Sequence, residues 1–284
     1  MLSLSELTEI FHIYNLFPKK FWGQHFLVDK NIQKKIILVC QLSKRDTVLE
    51  IGPGLGALTE ELCRKTRFVY AVEKDEAFCK ILKERLRSFK NLELINTDIL
   101  KFPFPHQEHS SYKKLKVIGN LPYYISTPII SYLIENHEYI DSIYISLQKE
   151  LAQRIVARAG EKSYGSLTVF VNFYAKPIIL FSIKRNCFFP RPEVDSCFLK
   201  IEIIKKPRTK KDIEKKIFSI VRSSFQNRRK KIINALLKSK LGYKREELMI
   251  ALRKAKINSL RRPETLSIED FIALAECLDS FKKH

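Results

Sequence analysis

The chain has no Cys-x-x-Cys pair, no window of about 18 uninterrupted apolar residues and too few acids to balance its bases, and each shortage closes off a class of function. Its six cysteines (Cys40, Cys63, Cys79, Cys187, Cys197 and Cys277) are scattered, which suggests neither a disulfide framework nor a zinc ribbon. They read as reduced thiols of a cytoplasmic protein. His106 and His109 stand in the order H-Q-E-H, without the i, i+4 face of a metal-binding helix, so a loop and no metal site are expected. Even the run Ile178 to Ile183 is bracketed by Lys176 and Lys184, so no membrane span is expected. The amphipathic start, MLSLSELTEIFHIYNLF, carries Glu6 and Glu9 and lacks both an early basic region and a small-residue cleavage site. It reads as a short docking helix rather than a signal. The acidic shortage is the most informative: 52 Lys and Arg against 31 Asp and Glu leave a formal charge of +21, which calls for a polyanionic partner. With 45% hydrophobic and 29% charged residues, the whole chain is not a disordered basic tail.

A length of 284 residues fits one large domain, or one medium domain with an appendage. Charge divides it unevenly, since residues 205–284 hold 23 Lys and Arg against 9 Asp and Glu, a net +14. The stretch Lys205-Lys206-Pro207-Arg208 follows a strand-like run, Ser196 to Ile204, and makes a plausible linker. A catalytic domain of residues 1–204, with an N-terminal extension, and a basic helical domain of residues 205–284 are therefore expected. In the first, short β-rich runs (Thr47 to Ile51, Phe68 to Val72, Leu92 to Asn96, Lys116 to Ile118, Ser142 to Leu147) alternate with helical ones. That is the pattern of a doubly wound α/β domain with a mostly parallel sheet. Leu167 to Tyr174 and Ile178 to Ile183 read as a late antiparallel edge. In the second domain the apolar period becomes 3.6, with Ser267 and Asp270 as a capping box for the last helix.

Glycine is scarce, yet three of the eight glycines fall within five residues: Glu50-Ile-Gly52-Pro-Gly54-Leu-Gly56-Ala57, between a predicted strand and a helix expected from about Ala57. Glycines admit a ligand close to the backbone, and the following helix offers free N–H groups to an anion. Glu73 ends the next strand 21 residues after Gly52, where a carboxylate can accept both ribose hydroxyl protons. The loop alone also suits a nicotinamide dinucleotide. Asp98, at the end of the third strand, suits the amine of an adenine ring, and S-adenosylmethionine, whose only anion is its carboxylate, fits better than NAD.

Asn120-Leu121-Pro122-Tyr123 follows the fourth predicted strand, at the same edge. An adenine exocyclic amine is a poor nucleophile and must be held in place. The Asn120 side-chain oxygen and the Leu121 carbonyl can each accept one N–H, Pro122 stiffens the turn, and Tyr123 offers a face on which an extruded base can stack. Such a site works by positioning, without a metal or an obligatory strong base.

At this point the sequence resembles the ribosomal RNA adenine dimethyltransferases. The resemblance is carried by Gly23-Gln24-His25-Phe26-Leu27-Val28-Asp29, Glu50 to Leu58, Asn120 to Thr127, Leu147 to Glu150, Phe188 to Ser196 and Arg261-Arg262-Pro263-Glu264. It implies a Rossmann-like, S-adenosylmethionine-dependent methyltransferase domain followed by a small all-helical domain. By position it assigns cofactor contacts to His25, Leu27, Gly52, Glu73, Asp98 and Asn120, and the target-base pocket to Asn120, Leu121, Tyr123 and Phe188, the last as a second aromatic closing on the base. The family usually has Asn where this chain has His25, and commonly a polar residue where it has Tyr124.

Two branches share these motifs. One dimethylates two adjacent adenosines in the 3'-terminal hairpin of small-subunit (16S) rRNA and serves small-subunit biogenesis; the other modifies one large-subunit adenosine and confers antibiotic resistance. The stretches Phe225 to Lys231 and Arg262 to Ser267 look like the first. A DNA adenine methyltransferase also uses an Asn- or Asp-Pro-Pro-Tyr turn, but Leu121 and the C-terminal helices favour RNA. A non-catalytic assembly factor and an NAD-dependent oxidoreductase are the readings of other classes, separable by turnover and by cofactor binding. Arg228, Arg229, Lys230 and Lys231, with Arg261 and Arg262, are the expected phosphate contacts, extended by Arg154 and Arg158. The expected partners are small-subunit rRNA and the immature small subunit, met by a monomer.

Overall fold

The computed structural model describes residues 1–18, 23–104 and 114–281, so His106 and His109 lie outside the described residues. In chain order the elements are α1 (Leu4–Ile13), β1 (Phe26–Leu27), α2 (Lys30–Val39), β2 (Thr47–Ile51), α3 (Thr59–Lys65), β3 (Phe68–Glu73), α4 (Glu76–Arg85), β4 (Leu92–Asn96), β5 (Leu115–Asn120), α5 (Ser126–Glu135), β6 (Ile140–Gln148), α6 (Lys149–Val156), α7 (Ser166–Tyr174), β7 (Ala175–Ile183), β8 (Phe188–Phe189), β9 (Ser196–Ile203), α8 (Lys211–Gln226), α9 (Ile232–Leu237), α10 (Arg245–Lys254) and α11 (Ile268–Asp279).

Apolar runs buried on both faces, such as Thr47–Ile51, can only be satisfied inside a sheet covered by helices. They form a seven-stranded sheet in the order β4-β3-β2-β5-β6-β9-β7. β2 through β6 run parallel to one another, and β9 is antiparallel to β6. The chain winds outward from β2 to β3 and β4, then restarts on the other side at β5. This reversal opens a crevice at the carboxyl ends of β2 and β5. Strand register sets Ile51 opposite both Val72 and Gly119, Glu73 opposite Asn96, and Asn120 opposite Ser146, so the ends of five strands share one edge. A separate antiparallel pair, Phe26 with Phe189 and Leu27 with Phe188, ties the Gly23 to Leu27 segment to the one before β9.

The helices start where the side chains say they should. Asp29 and Asp75 accept backbone N–H groups at the starts of α2 and α4, and Ser3 with Glu6 and Ser267 with Asp270 close capping boxes on α1 and α11. On α1, Leu7 and Phe11 are buried in an apolar cluster with Leu55, Phe78 and Ile81, which is the docking role expected of it.

Two expectations need correction. Leu167 to Tyr174 is not a strand but lies in the helix α7. Its β-branched and aromatic residues favour a strand locally, but Val169 and Phe173 bury themselves among Ile217, Ile220, Leu248 and Phe271, and this packing outweighs propensity. The Gly165 N–H donates to Thr168 Oγ1 at 3.1 Å and starts the helix; the sheet's edge is β7. The division into units also differs from a single break after residue 204. One unit comprises Met1–Ala152 and Ile178–Ile203, and the other comprises Gln153–Pro177 with the described residues from Ile204 onward. Residues 153–177 join the second because Ala157, Tyr164, Val169 and Phe173 belong to its core. Arg154 and Arg158 therefore sit on the helical unit, not on the sheet unit.

Candidate active site at the carboxyl edge of the sheet

The glycine turn adopts left-handed backbone, with φ of +64° at Gly52 and +87° at Gly56, a conformation that favours glycine at both. A Cβ on Gly56 would lie 2.9 Å from the Leu82 side chain of α4, so this glycine serves packing. A Cβ on Gly52 would meet only the Asn120 carbonyl, at 3.9 Å, so the backbone there is open to a ligand. The helix after the turn begins at Thr59, two residues later than the sequence suggests. Glu73 braces the turn: Oε2 accepts from Gly54 N at 3.0 Å and Oε1 from Asp75 N at 2.9 Å. Burial pushes its carboxyl up to about 7, with those hydrogen bonds opposing.

Beside it stands an acid that sequence reasoning passed over. Glu50 reads as one residue of a buried strand, yet it is 2% exposed and lines the same cleft, and its Oε2 has no hydrogen-bond partner among the described residues. Burial pushes this carboxyl up to about 8; the Thr59 hydroxyl beside it opposes the shift and the Glu73 charge adds to it. An acid two residues before the first glycine, inside an otherwise apolar strand, is the available signal. Because both folded-state values lie above the ordinary carboxylate value, these groups favour the fold most under acid conditions. That contribution is lost as pH rises through about 7 and 8. Glu50→Gln is expected to flatten the fall in Tm of the ligand-free protein between pH 6 and 9; a fall as steep as wild type would show that Glu50 is not its source.

A second cleft continues from the first, and Gln24, Gly52, Glu73 and Pro122 line both, so the two are parts of one groove. Its apolar walls come from Ile51, Val72, Ile99, Ile125 and Ile129, and its polar groups from Glu73, Lys74, Thr97 and Asp98. Asp98 Oδ1 accepts from Leu100 N at 3.0 Å, and Oδ2 from Lys74 Nζ at 2.9 Å. Burial opposes ionisation of Asp98, but these two bonds outweigh it and hold the carboxyl below its ordinary value. Two carboxylates one strand apart over an apolar slot suit a nucleoside, with the ribose at Glu73 and the base amine at Asp98. The open backbone at Gly52 and the unpartnered Glu50 oxygen suit the charged amino-acid end of S-adenosylmethionine. The residues present fit that group.

Asn120 closes β5 with its amide held on both sides. Nδ2 donates to the His25 carbonyl at 2.7 Å, and Oδ1 accepts from the Ser146 hydroxyl on β6. The sequence offers that oxygen to a substrate amine; here one of its lone pairs is already used, which leaves the other. Leu121 lines the cleft and is 1% exposed. The Pro122 carbonyl accepts from Ser126 Oγ and fixes the turn that presents Tyr123. The Tyr123 hydroxyl bonds with Ser196 Oγ at 2.6 Å. Burial raises the phenol above its ordinary value against that bond. The His25 ring lies 5.2 Å from the Tyr123 ring, inclined at 32°. Its Nδ1 bonds with the Pro190 carbonyl at 2.7 Å, a contact in which the ring N–H must be the donor.

Leu27 is buried and lines this cleft. Phe188 is not brought to it. Paired with Leu27 across β1 and β8, Phe188 turns inward, is 4% exposed, and belongs to the core with Ile36, Cys187 and Phe198. The phenyl and phenol rings on the groove wall are Phe26, Phe78, Tyr123 and Phe198 beside the first cleft and Tyr124 beside the second.

In the helical unit, three loops distant in sequence are tied together. Arg228 Nη2 donates to the Lys162 carbonyl, Gly160 N to the Glu264 carbonyl at 2.7 Å, and Ile232 N to the Arg261 carbonyl at 2.7 Å. Arg228 to Lys231 form the turn between α8 and α9 rather than a helix face. Arg158, Lys162, Arg229, Lys230, Lys231 and Arg262 are exposed on these loops, and Arg154 is exposed on α6. Arg228 and Arg261 are half-buried and do structural work: the Arg261 guanidinium pairs with Asp270 at 3.2 Å and donates to Thr265.

The family model Ribosomal RNA adenine dimethylase matches residues 16–279. Ribosomal RNA small subunit methyltransferase A of Clostridium botulinum (strain Loch Maree / Type A3) is 42% identical over 270 residues, covering 95% of this chain and 97% of that protein. The crystal structure of a dimethyladenosine transferase from Plasmodium falciparum superposes with a TM-score of 0.76 at 26% identity, over 91% of this chain and 98% of that one. That of the 23S rRNA methyltransferase ErmE gives 0.70 at 27% identity, over 89% and 99%.

Proposed function

The chain belongs to the ribosomal RNA adenine dimethylase family, and from that membership and the groove's geometry we propose that Asn120, Leu121 and Tyr123 hold the target adenine while Gly52, Glu73 and Asp98 hold the methyl donor. The protein is an enzyme, an S-adenosylmethionine-dependent adenine N6,N6-dimethyltransferase of 16S rRNA. Relatives at 38–42% identity act, by name, on the small subunit, so the large-subunit reading suggested by the likeness to ErmE is not favoured.

The observation that carries the site assignment is the double clamp on the Asn120 amide, by Ser146 and the His25 carbonyl, at the crevice where Gly52 and Glu73 also face. S-adenosylmethionine, when bound, supplies a methyl group on an electrophilic sulfonium. Everything else falls to the chain. The free lone pair of Asn120 Oδ1 and the Leu121 carbonyl can accept the two N–H groups of the amine, which aims the nitrogen lone pair without any proton transfer beforehand. The Tyr123 ring, braced by Ser196 and His25, offers the base a stacking face and excludes water.

The exposed cations on the three tied loops, with Arg154, are proposed to contact rRNA phosphates, and the substrate to be the immature small subunit, met by a monomer in the cytoplasm. One chain carries both the groove and the cationic loops; no described helix is long and apolar enough to cross a membrane. The test is incubation with S-adenosylmethionine and small-subunit particles lacking adenine methylation, with large-subunit RNA in parallel, followed by nucleoside mass spectrometry. Dimethyladenosine from the small-subunit particles is expected; product from the large-subunit RNA alone would overturn the reading.

A further inference from the structure

The structure gives the large side chain of Tyr124 a definite place. It lies in the short turn between β5 and α5 and is 54% exposed. Its ring is not loose: Cδ1 comes within 3.2 Å of where a side chain on Gly23 would begin. Tyr124 lines the second cleft together with Lys74, Asp98 and Ile99, which come from the connections after β3 and β4 on the other side. Tyr124 thus stands at the mouth of the cleft, resting on the Gly23 turn and facing the Lys74–Asp98 pair.

An aromatic ring left half in water at the lip of an apolar slot gains if a flat partner covers it. The slot's chemistry names that partner: Glu73 and Asp98 are spaced for a ribose and an exocyclic amine, with Val72 and Ile99 as an apolar wall. Building on the cofactor assignment above, we propose that Tyr124 stacks on the adenine ring of the bound methyl donor and of the demethylated product, closing the adenosyl cleft and setting how tightly this enzyme retains them. Dimethylation requires the spent cofactor to be exchanged between transfers. A residue that holds the adenosyl group tightens both the incoming and the spent form, and Tyr124 therefore trades affinity for methyl donor against product inhibition.

The experiment is equilibrium calorimetry of wild type, Tyr124→Phe and Tyr124→Asn with S-adenosylhomocysteine and with 5'-methylthioadenosine, which keeps the adenosyl part and lacks the amino acid. Tyr124→Asn is expected to weaken both ligands by the same factor, about tenfold, and Tyr124→Phe to stay within about twofold of wild type. The affinity for unmethylated small-subunit particles should be equal in all three proteins, which also reports that the exposed substitutions leave the fold intact. Unchanged nucleoside affinity in Tyr124→Asn overturns the proposal, as does a loss seen with S-adenosylhomocysteine alone. Weakened particle binding with unchanged nucleoside binding would assign the ring to RNA instead. A wild-type protein that binds neither nucleoside would overturn the cofactor assignment itself, a result distinguishable from failure of the stacking role.

Discussion

Asn120→Ala is expected to lower the single-turnover rate of methyl transfer by at least a hundredfold while leaving the affinity for small-subunit particles unchanged. The size of the effect follows from what the amide does. Methyl transfer to an adenine amine relies on placing a weak nucleophile, and removing one fixed hydrogen-bonding group from such a site costs about 10²–10³ in rate. The clamp makes Asn120 a fixed group rather than a mobile one, since Ser146 holds its oxygen and the His25 carbonyl its nitrogen. The substitution also strands a buried Ser146 hydroxyl, which is 2% exposed, at a cost of about 1–3 kcal/mol of stability. Asn120→Asp separates the two effects. It keeps the oxygen that accepts from Ser146 and from the substrate, but a second oxygen now faces the His25 carbonyl and repels it. Its transfer rate should fall by more than its Tm suggests. Full activity in the alanine variant would remove Asn120 from the site, full activity in Asn120→Asp would show that the bond to the His25 carbonyl is dispensable, and weakened particle binding in the alanine variant would mean that the residue acts on RNA rather than on the amine.

The parts of this site readable in the sequence are those whose chemistry is local. Gly52, Glu73, Asp98 and Asn120 each end or follow a strand, and a parallel sheet necessarily brings such residues to one edge. The bracing residues were not readable in this way. Ser146 and Ser196 are serines within apolar strands, and only the register of β6 against β5, together with the course of β9, reveals that they hold Asn120 and Tyr123. Glu50 has the same history, for a carboxyl in Thr47–Ile51 looks like an exception to a buried strand until its unpartnered oxygen is found in the groove. The inward turn of Phe188 was also not readable, because adjacent residues of a strand face opposite ways and the pairing of β1 with β8 decides which of Phe188 and Phe189 turns into the core. Leu167 to Tyr174 misled for a different reason: its composition suits a strand, and the partners that make it a helix lie some fifty to a hundred residues further along the chain.

Long-range packing also changes which basic residues should matter for RNA, and reversing Arg229, Lys230 and Lys231 to Glu together gives the second large effect. All three are exposed on the turn between α8 and α9, where no packing holds their charges away from a phosphate backbone. Each phosphate contact releases a counterion and adds about 0.7–0.9 to the slope of log affinity against log salt. Losing three such contacts should lower that slope by about 2 and weaken particle binding at least a hundredfold near 0.1 M salt, with Tm within a few degrees of wild type. Arg228→Ala and Arg261→Ala should do the opposite, although the sequence groups them with the others. Arg228 ties its turn to the Lys162 loop, and Arg261 holds Asp270 and Thr265 at the start of α11, so their loss should lower Tm and leave the salt slope nearly unchanged. If the charge-reversed protein kept the wild-type slope, the turn between α8 and α9 would not be part of the phosphate-binding surface. A slope that fell in Arg261→Ala with Tm intact would show that an ion-paired arginine still reaches RNA, and that its bonds to Asp270 and Thr265 give way when a phosphate is offered.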